Sequence, residues 1–272
     1  GGVLILNADN TYDGSTTVEQ GRLVLANTGA AGNVGSTIDL ATNGSRTSSI
    51  EYRINGSGPF LFDNPVVTTG GDNNSTRIIT VGPVGPGSEN QVVQIPSLTI
   101  GHAGTYGVDG GGNSALYFDG FNGYRMTVTG AVTLNRSIVL RTRGALTTFD
   151  GVVSGLAANA LEKAEQGTLW LNGNNTYLGS TTLSGGYLVA GSDTAFGAAT
   201  SDITIRGGVF SQLLASGTRT INRNFIVTST GSTQTIGGLD AGAKLFSGNI
   251  NMSTRGLNLT AVTGGDVTVS GI

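Results

Sequence analysis

The chain holds one histidine, His102 in TIGHAGTYG, and imidazole is the side chain suited to proton transfer near neutral pH. A Ser-His-Asp relay needs a nucleophile on a sharp strand-to-helix elbow, and the residues around His102 lack that pattern. With one His and no Cys, multi-histidine and thiolate metal sites are excluded. His102 therefore reads as a solvated turn or strand-end residue. Glycoside cleavage would need two carboxyl groups converging on one bond. Asp9 and Asp13 stand four residues apart, but a near-copy of their segment has Asn174 and Leu178 there. They read as surface turn residues.

Other chemistry is no better supplied. Glu162 and Glu165 lie in LAANALEKAEQ (156–166), the one stretch with a helical period, and form a solvated face of two or three expected turns. DNPVVTTGGDNN (63–74) could gather oxygens for Ca²⁺ but reads first as a loop. YGVDGGGNSALYF (106–118) lacks the aspartate of the calcium nonapeptide and does not recur. No phosphate loop is present. The expectation is a non-enzyme with no catalytic residue, no metal and no cofactor. Aromatic residues do cluster at 106–124. Tyr106, Tyr117 and Tyr124 could stack on a glycan, and core or corner packing is the alternative.

The elements that would carry these residues are strands. Gly is 46 of 272 residues, about 17% against a typical ~7%, while charged residues are 11% against a typical ~25%. Apolar residues reach 38% and fall in short regular runs, which favours folded structure over disorder. A net charge of −3 and a pI near 5.1, with two lysines and twelve dispersed arginines, argue against nucleic acid. No run approaches the ~18 apolar residues of a membrane span. Neither Met126 nor Met252 begins the chain and no secretory leader is present, so the sequence reads as a processed or excised segment.

The runs alternate with the strand period: RLVLA (22–26), STIDLA (36–41), SIEYRI (49–54), RIITV (77–81), SLTIG (97–101), ALYFDG (115–120), MTVTG (126–130), AVTLN (131–135), SIVLRT (137–142), TLWLNG (168–173), SDITIRG (201–207), LNLTAV (257–262) and DVTVSG (266–271). Asn-Gly and Asp-Gly pairs punctuate them. Strands every ten or so residues fit either an antiparallel sandwich or a parallel solenoid.

A repeat decides between the two. Residues 4–32 align without a gap on 169–197, and fifteen of 29 positions are identical. A shorter echo pairs FDGVVSGL (149–156) with GGDVTVSGI (264–272), so Leu4 to Leu156 spans 152 residues whereas the matching landmarks Leu169 and Ile272 lie 103 apart. A sandwich tolerates such a change badly, but a solenoid can gain or lose whole coils. The expected fold is one elongated parallel β-solenoid over 1–272, with about 22 residues per coil, twelve coils and a length near 55–60 Å. In each repeat the NTYxGSTT string reads as a corner leading into a strand. Asn10 and Asn175 would cap or ladder the corner, and Gly14 and Gly179 would allow the sharp turn. Tyr12 and Tyr177 would shield it, Thr17 and Thr182 would start the next strand, and Thr11 and Thr176 complete the motif.

These residues resemble the autotransporter-associated β-strand repeat. Leu161, Lys163, Gly167, Thr168, Leu169, Leu171, Gly173, Asn175, Thr176, Tyr177, Gly179, Thr181, Thr182, Gly185 and Leu188 stand at its positions. Glu165 departs where the repeat has Gly, and the first copy lacks the leading Leu-x-Lys. The resemblance strictly covers about 65 residues. It implies a right-handed, open-ended β-helix passenger at the surface of a Gram-negative bacterium, with no particular activity attached.

The function expected is a non-catalytic rod of an extracellular surface protein or fibre. It would support adhesion or filament assembly and be continued at its ends, either in a longer chain or by end-to-end self-association. A module that binds a surface glycan or host receptor is the first alternative, and a polysaccharide-processing β-helix enzyme the second.

Overall fold

The computed structural model describes residues 1–42, 46–70, 75–101, 115–156, 159–198, 200–207, 210–228, 233–252 and 256–271. Among these residues there is no helix, and the strands form three sheets of thirteen, nine and six strands. Every strand pairing is parallel. A complete coil runs from Ile138–Arg143 in the thirteen-stranded sheet to Leu146–Phe149 in the nine-stranded sheet. It continues to Val153–Gly155 in the six-stranded sheet and returns at Leu161–Ala164. The chain is a parallel β-solenoid.

Alternation explains each strand. In Ile138–Arg143 the residues Ile138, Leu140 and Thr142 are buried, while Val139, Arg141 and Arg143 face out. All thirteen alternating runs named above contain a strand. The inward residues stack in register across coils. Leu116, Leu140, Lys163, Leu183, Ile205 and Val227 continue one another in the thirteen-stranded sheet. The stacks merge into a core cluster that reaches from Val18 to Ile250.

Of each adjacent Leu-Val pair in the repeats, the leucine points inward: Leu23 and Leu188 join the core, as do Leu169 and Leu171. Val24 and Val189 lie on the outer face yet are nearly buried, Val189 between Trp170 and Leu214 of the neighbouring coils. Leu6 packs against the core from its edge, and Leu4 on the edge strand is 58% exposed.

Two expectations change. Residues 161–164 are a strand and not a helix, because Leu161 and Lys163 fall on the inner face with Glu162 outside. Their ladders to Ile138–Arg141 on one side and Thr181–Leu183 on the other override a helix-friendly composition. Coil length is also far from constant. It runs from 19 residues between Leu4 and Leu23 to 39 between Ile79 and Phe118. Twelve strands nevertheless succeed one another from Val3–Leu6 to Gly265–Gly271, about 53 Å of ladder at ~4.8 Å per step.

The two repeat copies occupy different faces. In the first, Val3–Leu6 and Gly21–Leu25 belong to the thirteen-stranded sheet and Thr16–Thr17 to the six-stranded one. In the second, the equivalent strands Thr168–Leu171 and Gly186–Ala190 belong to the nine-stranded sheet, and Thr181–Leu183 to the thirteen-stranded one. The second copy is thus advanced by one face around the axis. In each copy the corner replaces the strand of the intervening sheet.

Candidate functional site

The corner of the second repeat, residues 172–180, has no regular secondary structure and bends at Gly173 and Gly179, and buried and exposed residues alternate along it. Asn175 is its anchor. Its Oδ1 accepts from the Val153 amide of the preceding coil at 2.7 Å, and its Nδ2 donates to the Ala195 carbonyl of the following coil at 2.6 Å. A buried amide satisfied on both sides ties three coils together, and each such bond contributes about 1 kcal/mol. Main-chain bonds from Thr176 to Val153 and from Leu178 to Gly155 complete the edge of the six-stranded sheet. Tyr177 is fully buried and its hydroxyl meets Thr181 Oγ1 at 2.7 Å; burial pushes its pKa up to about 12.

The first copy repeats these bonds. Asn10 Nδ2 donates to the Ala30 carbonyl at 2.7 Å, and the Tyr12 hydroxyl meets Thr16 Oγ1 at 2.6 Å. Tyr12 is 38% exposed where Tyr177 is buried. The threonines that hold the tyrosines are thus Thr16 and Thr181, one residue before Thr17 and Thr182, which face outward. Strand alternation after the corner is the signal that separates them.

Gly14 and Gly179 do not make the turn through a left-handed backbone, since neither has a positive φ. Gly179 is required for close approach, because a Cβ there would lie 1.8 Å from the Asn159 carbonyl oxygen. At Gly14 the same position is open. The left-handed turns are at Gly21 (φ 98°) and Gly186 (φ 70°), where the next strand of each repeat begins.

Both lysines are interior. Lys163 replaces a leucine in the aliphatic stack and sends its ammonium to the carbonyls of Ala164, Glu165 and Gly185 at 2.9, 2.8 and 2.8 Å. Burial pushes its pKa down to about 7, partly countered by the Glu165 carboxylate. Lys244 caps the carbonyls of Asp240, Ala241 and Gly242 and pairs with the Asp240 carboxylate at 2.9 Å. Arg77 and Arg223 cap corner carbonyls in the same manner. Sequence reasoning missed this group, because converging carbonyls leave no local pattern.

The glycan candidates separate. Tyr124 is fully buried, with its hydroxyl bonded to the Ile54 carbonyl and Ser88 Oγ at 2.6 Å each, so it is a core residue and cannot meet a glycan. Tyr106 and His102 lie outside the described residues. Tyr117 is on the outer face of the thirteen-stranded sheet, with the guanidiniums of Arg143 and Arg141 4.2 and 5.7 Å from its ring centre. Among the carboxylates, Glu162 accepts from Ser184 and Glu165 pairs with Arg141 at 2.9 Å. Asp9 and Asp13 are exposed in the first corner. Among the described residues no group of three or more His, Cys, Asp or Glu is placed to hold a metal. No helix there is long and apolar enough to cross a membrane.

Fold and corner together define a parallel β-solenoid built partly from a recurrent strand–corner–strand unit. The pattern of the passenger-associated-transport-repeat matches this chain at residues 1–25 and 161–190, the two segments that hold the unit. The chain is also similar to the adhesin BmaC autotransporter of Brucella suis biovar 1 (strain 1330), at 36% identity over 105 residues. The match covers 36% of this chain and 3% of that adhesin. The chain therefore spans a small part of the length of its relative. No solved structure matches it.

Proposed function

We propose that the chain is a stalk segment of a secreted bacterial surface adhesin, a non-catalytic rod that holds binding elements away from the cell. The observation that carries this reading is the repeat itself. Its two copies serve the solenoid as corner braces, their sequence matches the passenger-associated-transport-repeat, and the chain is similar over 105 residues to an adhesin autotransporter.

Surface display gives the test. An epitope inserted beside the exposed Leu178 should be labelled by antibody on intact cells and lost on brief protease treatment. Deletion of residues 161–190 should reduce attachment of those cells to host surfaces. Labelling only after the cells are lysed would contradict the reading.

A further inference from the structure

We infer that the outer face of the thirteen-stranded sheet, from strand Gly21–Leu25 to strand Ile138–Arg143, is a docking band for a linear acidic polysaccharide. The inference rests on the adhesin-stalk reading and names a ligand class for it. Four of the twelve arginines, dispersed in sequence, come to this face at the two ends of a five-strand band: Arg22 and Arg53 on adjacent strands, and Arg141 and Arg143 on a third strand three steps further on. The band spans five neighbouring strands, about 19 Å along the axis, of which three carry the arginines. A linear polymer laid along that axis would meet one coil after another.

The band pairs its charges loosely. Glu51 serves both Arg22 and Arg53, at 3.1 and 2.9 Å, so four guanidiniums face three carboxylates. The others are Asp119, bidentate to Arg143 at 2.8 and 2.9 Å, and Glu165 on Arg141. The result is a net positive strip on a chain of net charge −3. Arg22 and Arg143 keep 47% and 45% of their side-chain surface exposed. The single-bond pair of Arg22 is worth little, so a ligand carboxylate or sulfate can replace Glu51 there at small cost, whereas the bidentate Asp119 competes with the ligand for Arg143. Guanidinium binds such planar or multi-oxygen anions through two parallel hydrogen bonds.

Two aromatic rings turn the strip towards sugar. Phe121 is 50% exposed with Arg53 4.8 Å from its ring centre, and Tyr117 lies under Arg143. Each ring backs the guanidinium that lies over it and holds it in place, and the exposed Phe121 leaves apolar surface beside Arg53 for a sugar ring that carries an acidic group. Duplex DNA also supplies negative charge, but its bases are stacked away from such rings.

Binding of the chain to immobilised polygalacturonate, heparin, dextran and duplex DNA tests the inference. Binding is expected to heparin, polygalacturonate or both, weakening at least tenfold from 50 to 300 mM salt, with neither dextran nor DNA retained. The two acidic polymers distinguish sulfate from carboxylate as the preferred group. R22Q/R143Q should lose at least tenfold in affinity, and Y117A about threefold or more. D119N, which releases Arg143, should gain about threefold, whereas the remote D266N should change nothing. This gain separates a docking role from a purely structural ion pair, which D119N could only weaken. No binding, equal retention of dextran or DNA, or R22Q/R143Q at wild-type affinity with an intact circular dichroism spectrum would overturn the inference. Those outcomes leave surface display of the stalk untouched, and failed display would leave binding by the purified chain untouched.

Discussion

Glu165 stands where the repeat resemblance has glycine, and its backbone explains why: φ is 67°, in the left-handed region. A side chain there costs about 1 kcal/mol or more, offset partly by the ion pair with Arg141. Glu165→Gly should therefore leave the chain as stable as wild type or raise its stability by up to about 1 kcal/mol, read as the midpoint of urea unfolding. Lys163→Met should act in the opposite direction. It retains the stem inside the stack but leaves three buried carbonyls without their donor, a loss of about 1–3 kcal/mol. The pH dependence is carried in part by Asp240. Partial burial pushes its carboxyl up, but hydrogen bonds from Ser216 and the Gly217 amide and the pair with Lys244 outweigh that and hold the pKa at about 2. Its folded value lies below the ordinary 3.8, so its contribution is present above pH ~4 and disappears as pH falls towards 2. Thermal unfolding of Asp240→Asn should show a flatter acid limb than wild type over that window. These residue roles were scarcely legible beforehand, since an inward lysine and a solvated one look alike in LEKAEQ.

At the scale of the element, the strand and the corner differ in what they require. Strand Thr168–Leu171 needs Leu169 and Leu171 inside, both fully buried between coils. Leu171→Asp would place a charge there without a partner and should cost about 3–5 kcal/mol. Thermal melting at the wild-type temperature would show that this face is not in the core. The strands were legible because one-in, one-out burial writes itself as alternation, as in SIVLRT and ALYFDG. Leu161–Ala164 was obscured because four residues of Leu, Glu, Lys and Ala fit a helix equally well by composition. The corner was legible as a repeat but not as a mechanism. That Asn175 reaches two other coils, and that Gly179 sits against Asn159, depends on segments about twenty residues away in the chain.

For the whole molecule, the 165-residue offset between repeats revealed a solenoid but concealed its geometry. Coils of unequal length place the second copy one face further around the axis, so the corner brace can be installed on any side of the rod. Such freedom follows from parallel stacking, in which each coil contacts only its neighbours. It suits a stalk that must lengthen without redesigning its core. The register of coil on coil is the central claim, and the absence of native cysteine makes it directly measurable. Thr182 and Thr204 are register partners on the outer face of adjacent strands. A Thr182→Cys/Thr204→Cys chain should form an intramolecular disulfide under mild oxidation, since in-register parallel neighbours lie ~4.8 Å apart. Thr182→Cys with Ile203→Cys, one residue out of register and on the opposite face, should stay reduced. Cross-linking of the displaced pair in preference to the register pair would contradict the solenoid described here.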